Sequence, residues 1–363
     1  MNRISRRKLM KKAIFGVGAL SVSPIILSGC APQAAAPTST PVPNTAVPVA
    51  PTQTIPTVKP QSTAAVAATS PAAPNATPTS VVVSSPTVYV QPDIVVARGS
   101  DPEQLVRQAI KAMGGMEKFI KKGAKVVIKP NICVAYAKYE NAFTTNPWVV
   151  AALVKLCLEA GAATVRVFDY PFNGTAAKAY IDSGIETEVK KAGGEMIQWV
   201  GYKYTPVDFK LGKEIKNMKV FADILQANTD NVLINVPIPK HHSLAGMTLA
   251  MKNLLGVIDN RDSIHPNFGQ RLADLATFIK PVLNVVDAVR ILKNNGPASG
   301  TAADVQKLDM VYVTTDIIAA DAYGSALFGK KPEDFKNIVI GAEMKLGRKD
   351  IANLKIEEIK VGG

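Results

Sequence analysis

Lysine, histidine and asparagine collect at three places in this 363-residue chain. Lys129 and Asn131 flank a proline directly after an apolar run, and Lys240, His241 and His242 follow a second one. Lys252 and Asn253 come next, and Asp287 closes a third apolar run before the loop Gly296-Pro297-Ala298-Ser299-Gly300. All three histidines, His241, His242 and His265, fall within 25 residues, beside Lys240, Lys252, Arg261 and Asp262. Ammonium groups hold anions, amides donate and accept hydrogen bonds, and imidazole moves protons near neutral pH. This set points to a site for a small anionic ligand or cofactor. His241, His242 and Lys252 are its acid–base candidates. Lys129, Asn131, Lys240, Asn253 and Asp287 are its binding candidates.

Each candidate has a plainer reading. Lys252 suits a solvated helix face, Asp287 a turn or helix cap, and Gly296 to Gly300 either a surface loop or a nest of N–H groups. Neighbouring residues of an extended segment point to opposite sides, so one of His241 and His242 faces a cleft while the other packs or caps. A metal set would join His242 and His265 to Asp262 or Asp287, but no His-x-x-x-His or Glu-x-x-His spacing supports it. The sequence names no cofactor. It has no Cys-x-x-Cys pair, phosphate loop, dinucleotide fingerprint or Gly-x-Ser-x-Gly elbow. Cys157 reads as core within a helix, which leaves its pairing with Cys133 open.

The elements that must position these residues alternate between short β-rich runs and helical patterns. That predicts an α/β fold, mostly parallel, with helices on both faces and one or two subdomains. Strands are expected at 94–97, 125–128, 164–169, 196–200, 220–221, 231–236, 283–287 and 310–313. Helices are expected at 102–113, 147–160, 175–191 with a break at Gly184, 248–255, 269–279, 317–328 and 333–344. Asp101 and Asn146 are natural N-caps, each followed by proline. Ligands of open α/β sheets bind beyond the carboxyl ends of strands, which is where the three clusters fall.

Lys-Pro-Asn after a strand, Lys-His-His-Ser-Leu-Ala-Gly-Met-Thr-Leu-Ala-Met-Lys-Asn-Leu-Leu-Gly, Val-Val-Asp-Ala-Val with Asn-Gly-Pro-Ala-Ser-Gly, and Asp316 to Asp321 with Gly324 resemble domain of unknown function 362. The resemblance covers about residues 94–329. It implies no secure reaction. Some members carry ferredoxin-type clusters in an extra module, and this chain lacks the cysteines for them. More distantly the pattern is similar to the nickel-pincer lactate racemase group, which keeps a redox or isomerase activity in view.

The first thirty residues form a charged, apolar, small-residue series that reads as a secretory signal. Ser5-Arg6-Arg7-Lys8 resembles a twin-arginine signal, and Leu27-Ser28-Gly29-Cys30 resembles a bacterial lipobox. These likenesses imply export in the folded state and a lipid on Cys30 that anchors the chain outside the cytoplasm. Residues 31–86 hold twelve of the 25 prolines and a single charge, Lys59. Such a segment cannot bury a core and reads as a disordered tether ahead of a domain at 87–363. The formal charge of +13 overstates the domain, because six cations lie in the signal and one in the tether. No basic stripe with interleaved aromatics speaks for nucleic acid. The partners expected are a membrane, through Cys30, and a small anion. A solute-binding lipoprotein and a structural envelope protein are the rival classes.

Overall fold

A computed structural model describes residues 91–198, 203–225 and 231–362. The signal, Cys30 and tether readings lie outside the described residues, as does the end of the strand expected at 196–200. Among the described residues no helix is long and apolar enough to cross a membrane.

The chain runs β1 (Ile94–Arg98), α1 (Pro102–Ala112), β2 (Lys125–Pro130), α2 (Pro147–Glu159), β3 (Thr164–Val167), α3 (Ala176–Asp182), α4 (Ile185–Lys191) and β4 (Glu195–Met196). It continues through β5 (Tyr204–Asp208), β6 (Asn217–Phe221), α5 (Ala222–Leu225), β7 (Val232–Val236), β8 (Lys240–His242), β9 (Gly246–Thr248) and α6 (Ala250–Asn253). The last elements are α7 (Phe268–Phe278), β10 (Leu283–Leu292), β11 (Val305–Thr314), α8 (Ile317–Ser325), α9 (Lys336–Glu343) and β12 (Ile356–Lys360). The main sheet is continuous in the order β12-β1-β11-β10-β7-β2-β3-β4. It is mostly parallel, and only β11 runs against both its neighbours. The β5–β6 hairpin forms a separate two-stranded sheet.

Period-two alternation divides the strand side chains between two cores. Val95, Val126, Ile128 and Ile234 meet α1 to α4 on one face. Val127, Leu233, Val286 and Tyr312 meet α6 to α9 and the β5–β6 hairpin on the other. The expected N-caps form: Asp101 accepts from the Glu103 and Gln104 N–H groups, and Asn146 from Trp148. Gly184 takes a left-handed φ of 76°, which breaks the expected long helix into α3 and α4.

Three departures shape the site. The helix expected at 248–255 starts later, because Thr248 is held extended opposite Lys240 in the β8–β9 ladder. After α6 the chain tightens into a 3₁₀ turn over Leu254–Val257. Strand β10 runs five residues past the expected end at Asp287. Its long antiparallel ladder with β11 carries it there through a register shift between Ala288 and Arg290. Strands β5, β8, β9 and β12, short or charged, had no clear apolar signal.

Candidate functional site

Parallel neighbours β7, β2 and β3 end together, and Lys129 at the end of β2 and Asp169 just past β3 line a cleft of about 680 Å³. The register sets Lys129 beside Asn235 and Asn235 beside Asn284, so three polar residues cross three strands in one row. Their side chains share the face that meets α6. Asn253 closes the row from above. Its amide donates to Asn235 Oδ1 at 2.8 Å and to the Lys129 carbonyl at 3.2 Å. Its own Oδ1 accepts from Lys129 Nζ at 3.2 Å and from Asn131 Nδ2 at 3.0 Å. Asn235 in turn donates to Asn284 Oδ1 at 3.0 Å.

Lys129 is buried and fully committed. Its ammonium donates to Asp169 Oδ1 at 2.7 Å and to the Pro130 carbonyl at 2.9 Å. Burial pulls its pKa below the usual lysine range, while Asp169 pulls it back up. Asp169 also accepts from the Ile132 and Tyr170 N–H groups, which folds both adjoining loops around the pair. Gly256 is required here by close approach: a Cβ at that position would lie 2.0 Å from Asp169 Oδ1 and 2.8 Å from Lys129 Nζ. Lys240 is buried as well, and donates to Asn131 Oδ1 and the Phe143 carbonyl, both at 2.8 Å.

Lys252 differs from these two lysines. It lines the cleft from α6 and is only partly buried. Among the described residues it has neither a carboxylate nor a hydrogen-bond partner, and its one contact of note is with the Phe268 ring at 5.8 Å. Burial, and then the repulsion of Lys240, lower its pKa to about 8. The helix that carries it is held by Asp321, whose carboxylate accepts from the Ala250 N–H at 2.6 Å and the Met251 N–H at 3.4 Å. Asp321 has no cationic partner among the described residues, and burial raises it to about 7. One turn before Lys252, Thr248 is 3% exposed and lines the cleft, and its hydroxyl has no hydrogen-bond partner.

The two adjacent histidines point to different sides. His242 lines the cleft. Its Nδ1 accepts from the Leu244 and Ala245 N–H groups, both at 3.2 Å, so the neutral ring carries its proton on Nε2. Burial, then Lys252 and Lys240, lower its pKa to about 3. His241 is turned out of the cleft, with its Nδ1 accepting from the Gly296 N–H at 3.2 Å. His242 and His265 both stack on Phe268, at 6.4 and 5.9 Å.

The expected binding role of Asp287 is corrected by its position. Asp287 is buried away from the cleft, and accepts from the Asn146 N–H at 2.6 Å and the Val289 N–H at 3.1 Å. Burial raises it to about 6. Its carboxylate fixes the start of α2, as a cap would. With Asp287 engaged there, the metal set that included it does not assemble. Among the described residues no group of three His, Cys, Asp or Glu side chains is arranged to hold a metal. Cys133 and Cys157 are both free and buried, and Cys133 lines the cleft. Asp169, Asn235 and Thr248 are site residues that the sequence did not single out, and Asp321 entered only as the end of a family-like stretch. For Asp169 a signal existed, since a carboxylate follows one apolar run much as Lys129 follows the neighbouring one.

The family model described as Domain of unknown function (DUF362) matches residues 126–326. A protein of Synechocystis sp., named thylakoid-associated protein sll1697, is 26% identical over 226 residues, spanning 60% of this chain and 66% of its own length. Among solved structures, a Thermotoga maritima protein aligns with a TM-score of 0.36 and 12% identity, over 64% of this chain and 60% of its own. The lactate racemase apoprotein of Thermoanaerobacterium thermosaccharolyticum aligns with a TM-score of 0.39 and 11% identity, over 63% and 55%. The chain thus spans less than two thirds of each of these proteins. At such scores the likeness to the racemase carries no functional reading.

Proposed function

The chain belongs to the family described as Domain of unknown function (DUF362), a description that assigns no reaction, and from its cleft we propose that it binds a small organic anion. The observation that carries this reading is Lys252, a partly buried ammonium with no counter-ion among the described residues. Taking a charge out of water without a partner is unfavourable, and an anion in the cleft offsets that cost. One further donor supports the same reading, the Nε2–H of His242, and the cleft wall beside it holds the Thr248 hydroxyl, buried and without a partner. Lys129 and Lys240 add positive potential from below, and their own hydrogen bonds fix them as scaffold.

Titration calorimetry of the full-length chain, with Cys30→Ala to keep it soluble, tests this against acetate, lactate, succinate and phosphate. At least one should bind. Lys252→Met should then weaken it by about 10- to 100-fold, the worth of one charge-assisted hydrogen bond. Binding that survives Lys252→Met unchanged, or a panel that does not bind at all, overturns the proposal.

A second reading makes the same site catalytic, with an isomerase as one form. It is favoured by the lowered Lys252, since an amine near pKa 8 can both hold and release a proton at neutral pH. Deuterium uptake at the carbon beside the carboxylate of a bound anion, followed by NMR, separates catalysis from mere capture and delivery.

The setting proposed for this domain is the outer face of a membrane, reached by twin-arginine export and held by a lipid on Cys30 through the tether at residues 31–86. The Arg6-Arg7 and Leu27-to-Cys30 patterns support it, and so does the thylakoid association in the relative's name. Labelling with radioactive palmitate should mark the wild-type chain and not Cys30→Ala. Equal labelling of both would remove the anchor.

A further inference from the structure

The mouth of the cleft differs from its floor. Six large hydrophobic side chains are exposed among the described residues, and two of them, Phe172 at 53% and Leu244 at 60%, line this one cleft. A third, Tyr136 at 58%, donates from its hydroxyl to the Ala298 carbonyl, next to Pro297, which also lines the cleft. Single exposed apolar residues are ordinary, but a group at one opening marks a contact surface. The loops that carry them are held in place. Phe172 N–H donates to the Cys133 carbonyl and Ala135 N–H to the Asn173 carbonyl, both at 3.0 Å. Inward from the rim, Ile132 and Leu255 continue the apolar wall. Size points the same way. A cleft of about 680 Å³ falls in the range that encloses a drug-sized ligand, far more than a bare acetate or phosphate needs.

We propose that the ligand is a single-chain amphiphile, an organic anion whose head meets Lys252 and Thr248 while its apolar chain leaves between Phe172 and Leu244. This rests on the anion-binding reading above and adds the class of the ligand. Phe172 and Leu244 share the opening with the exposed polar residues Asp259, Asn260, Asp262 and His265, and a molecule with one charged end and one apolar body matches Lys252 and the apolar pair together.

The test uses acetate, butanoate, hexanoate and octanoate as probes on the full-length Cys30→Ala chain, with octylammonium as the control of opposite charge. Each methylene buried in part against the rim should tighten binding about twofold, so octanoate should bind at least about tenfold more tightly than butanoate. Octylammonium should not bind. The double variant Phe172→Ser/Leu244→Ser alters only exposed side chains. It should keep the affinity for acetate or butanoate and lose the gain with chain length. Equal affinity along the series, with Lys252→Met still weakening it, overturns the amphiphile and leaves the anion site standing. Equal binding of octanoate and octylammonium overturns it too, as greasy adsorption. Sedimentation of the wild-type rim with phosphatidylglycerol vesicles, lost in the double variant and undisturbed by octanoate, would make the rim a membrane contact and overturn it as a ligand site.

Discussion

Lys129 and Lys252 reach the same cleft, one from the end of a strand and the other from a short helix, and their surroundings differ in kind. Lys129 has an acceptor for each of its protons: Asp169, the Pro130 carbonyl and Asn253. Lys252 has none among the described residues, and it stands near a threonine hydroxyl that also has none. A folded chain that supplies every partner for a polar group is using that group to hold itself together. One that leaves a cation and a hydroxyl unmatched in the same cleft presents them to something else. On this contrast the floor is scaffold, and the wall formed by Lys252, Thr248 and His242 is the working surface.

The sharpest way to break the contrast is Lys129→Met. If Lys129 is scaffold, the change strands the buried carboxylate of Asp169 against Gly256 and removes a donor from Asn253. Loss of one partner from a buried ion pair costs about 3–5 kcal/mol, so the urea midpoint should fall steeply. Asp287→Ala tests the same idea away from the cleft. It leaves the Asn146 and Val289 N–H groups unpaired, at about 1–3 kcal/mol, with anion affinity unchanged. A Lys129→Met protein as stable as wild type would erase the distinction between the two lysines.

The division between scaffold and wall also explains what was legible in the sequence. Lys129, Asn131 and Lys240 stood out as polar residues at the ends of apolar runs, Lys252 and Asn253 as a pair on the next helix within the family-like stretch, and the structure gathers all five around one cleft. Asn235 and Asn284 were hidden inside strands that read as buried. Their pairing depends on a register between β7 and β10 that no local pattern reveals. Thr248 was assigned to a helix, and only the ladder with Lys240 turns its side chain toward the cleft. Asp287 misled because a strand-end aspartate looks the same whether it meets a ligand or, as here, the N–H at the start of α2. The fold class was readable from alternation of strand and helix patterns. The antiparallel β11 and the added β12 were not, since they depend on contacts between residues far apart in the chain.

A smaller effect sharpens the contrast through pH. Burial and Lys240 bring Lys252 to about 8, so it is charged below that value and neutral above it. Anion affinity should therefore be flat from pH 6 to 7 and fall by up to about tenfold per unit above 8. The stability of the free protein should move the other way through this group. An unfolded lysine holds its proton up to an ordinary value of 10.5, so the unfolded state binds more protons between 8 and 10.5 and the fold gains as pH rises there. Calorimetry from pH 6.5 to 9.5 reads the first trend, and Lys252→Arg should remove it, because guanidinium stays charged throughout. An affinity independent of pH in the wild type would mean that Lys252 does not meet the anion.

The smallest effect is the most discriminating for the wall. Thr248→Val keeps the branched shape at 3% exposure and removes only the hydroxyl that has no partner. For a hydroxyl that serves the fold, the change should destabilise the protein by about 1 kcal/mol. For one that awaits a ligand, unfolding should be unchanged or slightly harder, because a buried donor without an acceptor is itself unfavourable. Anion affinity should then fall by about 3- to 10-fold, the value of one neutral hydrogen bond. Measured together, a stable variant with weaker binding places Thr248 with Lys252 on the working side of the cleft. A destabilised variant with full affinity moves it to the scaffold with Lys129 and leaves Lys252 to hold the anion with His242 alone.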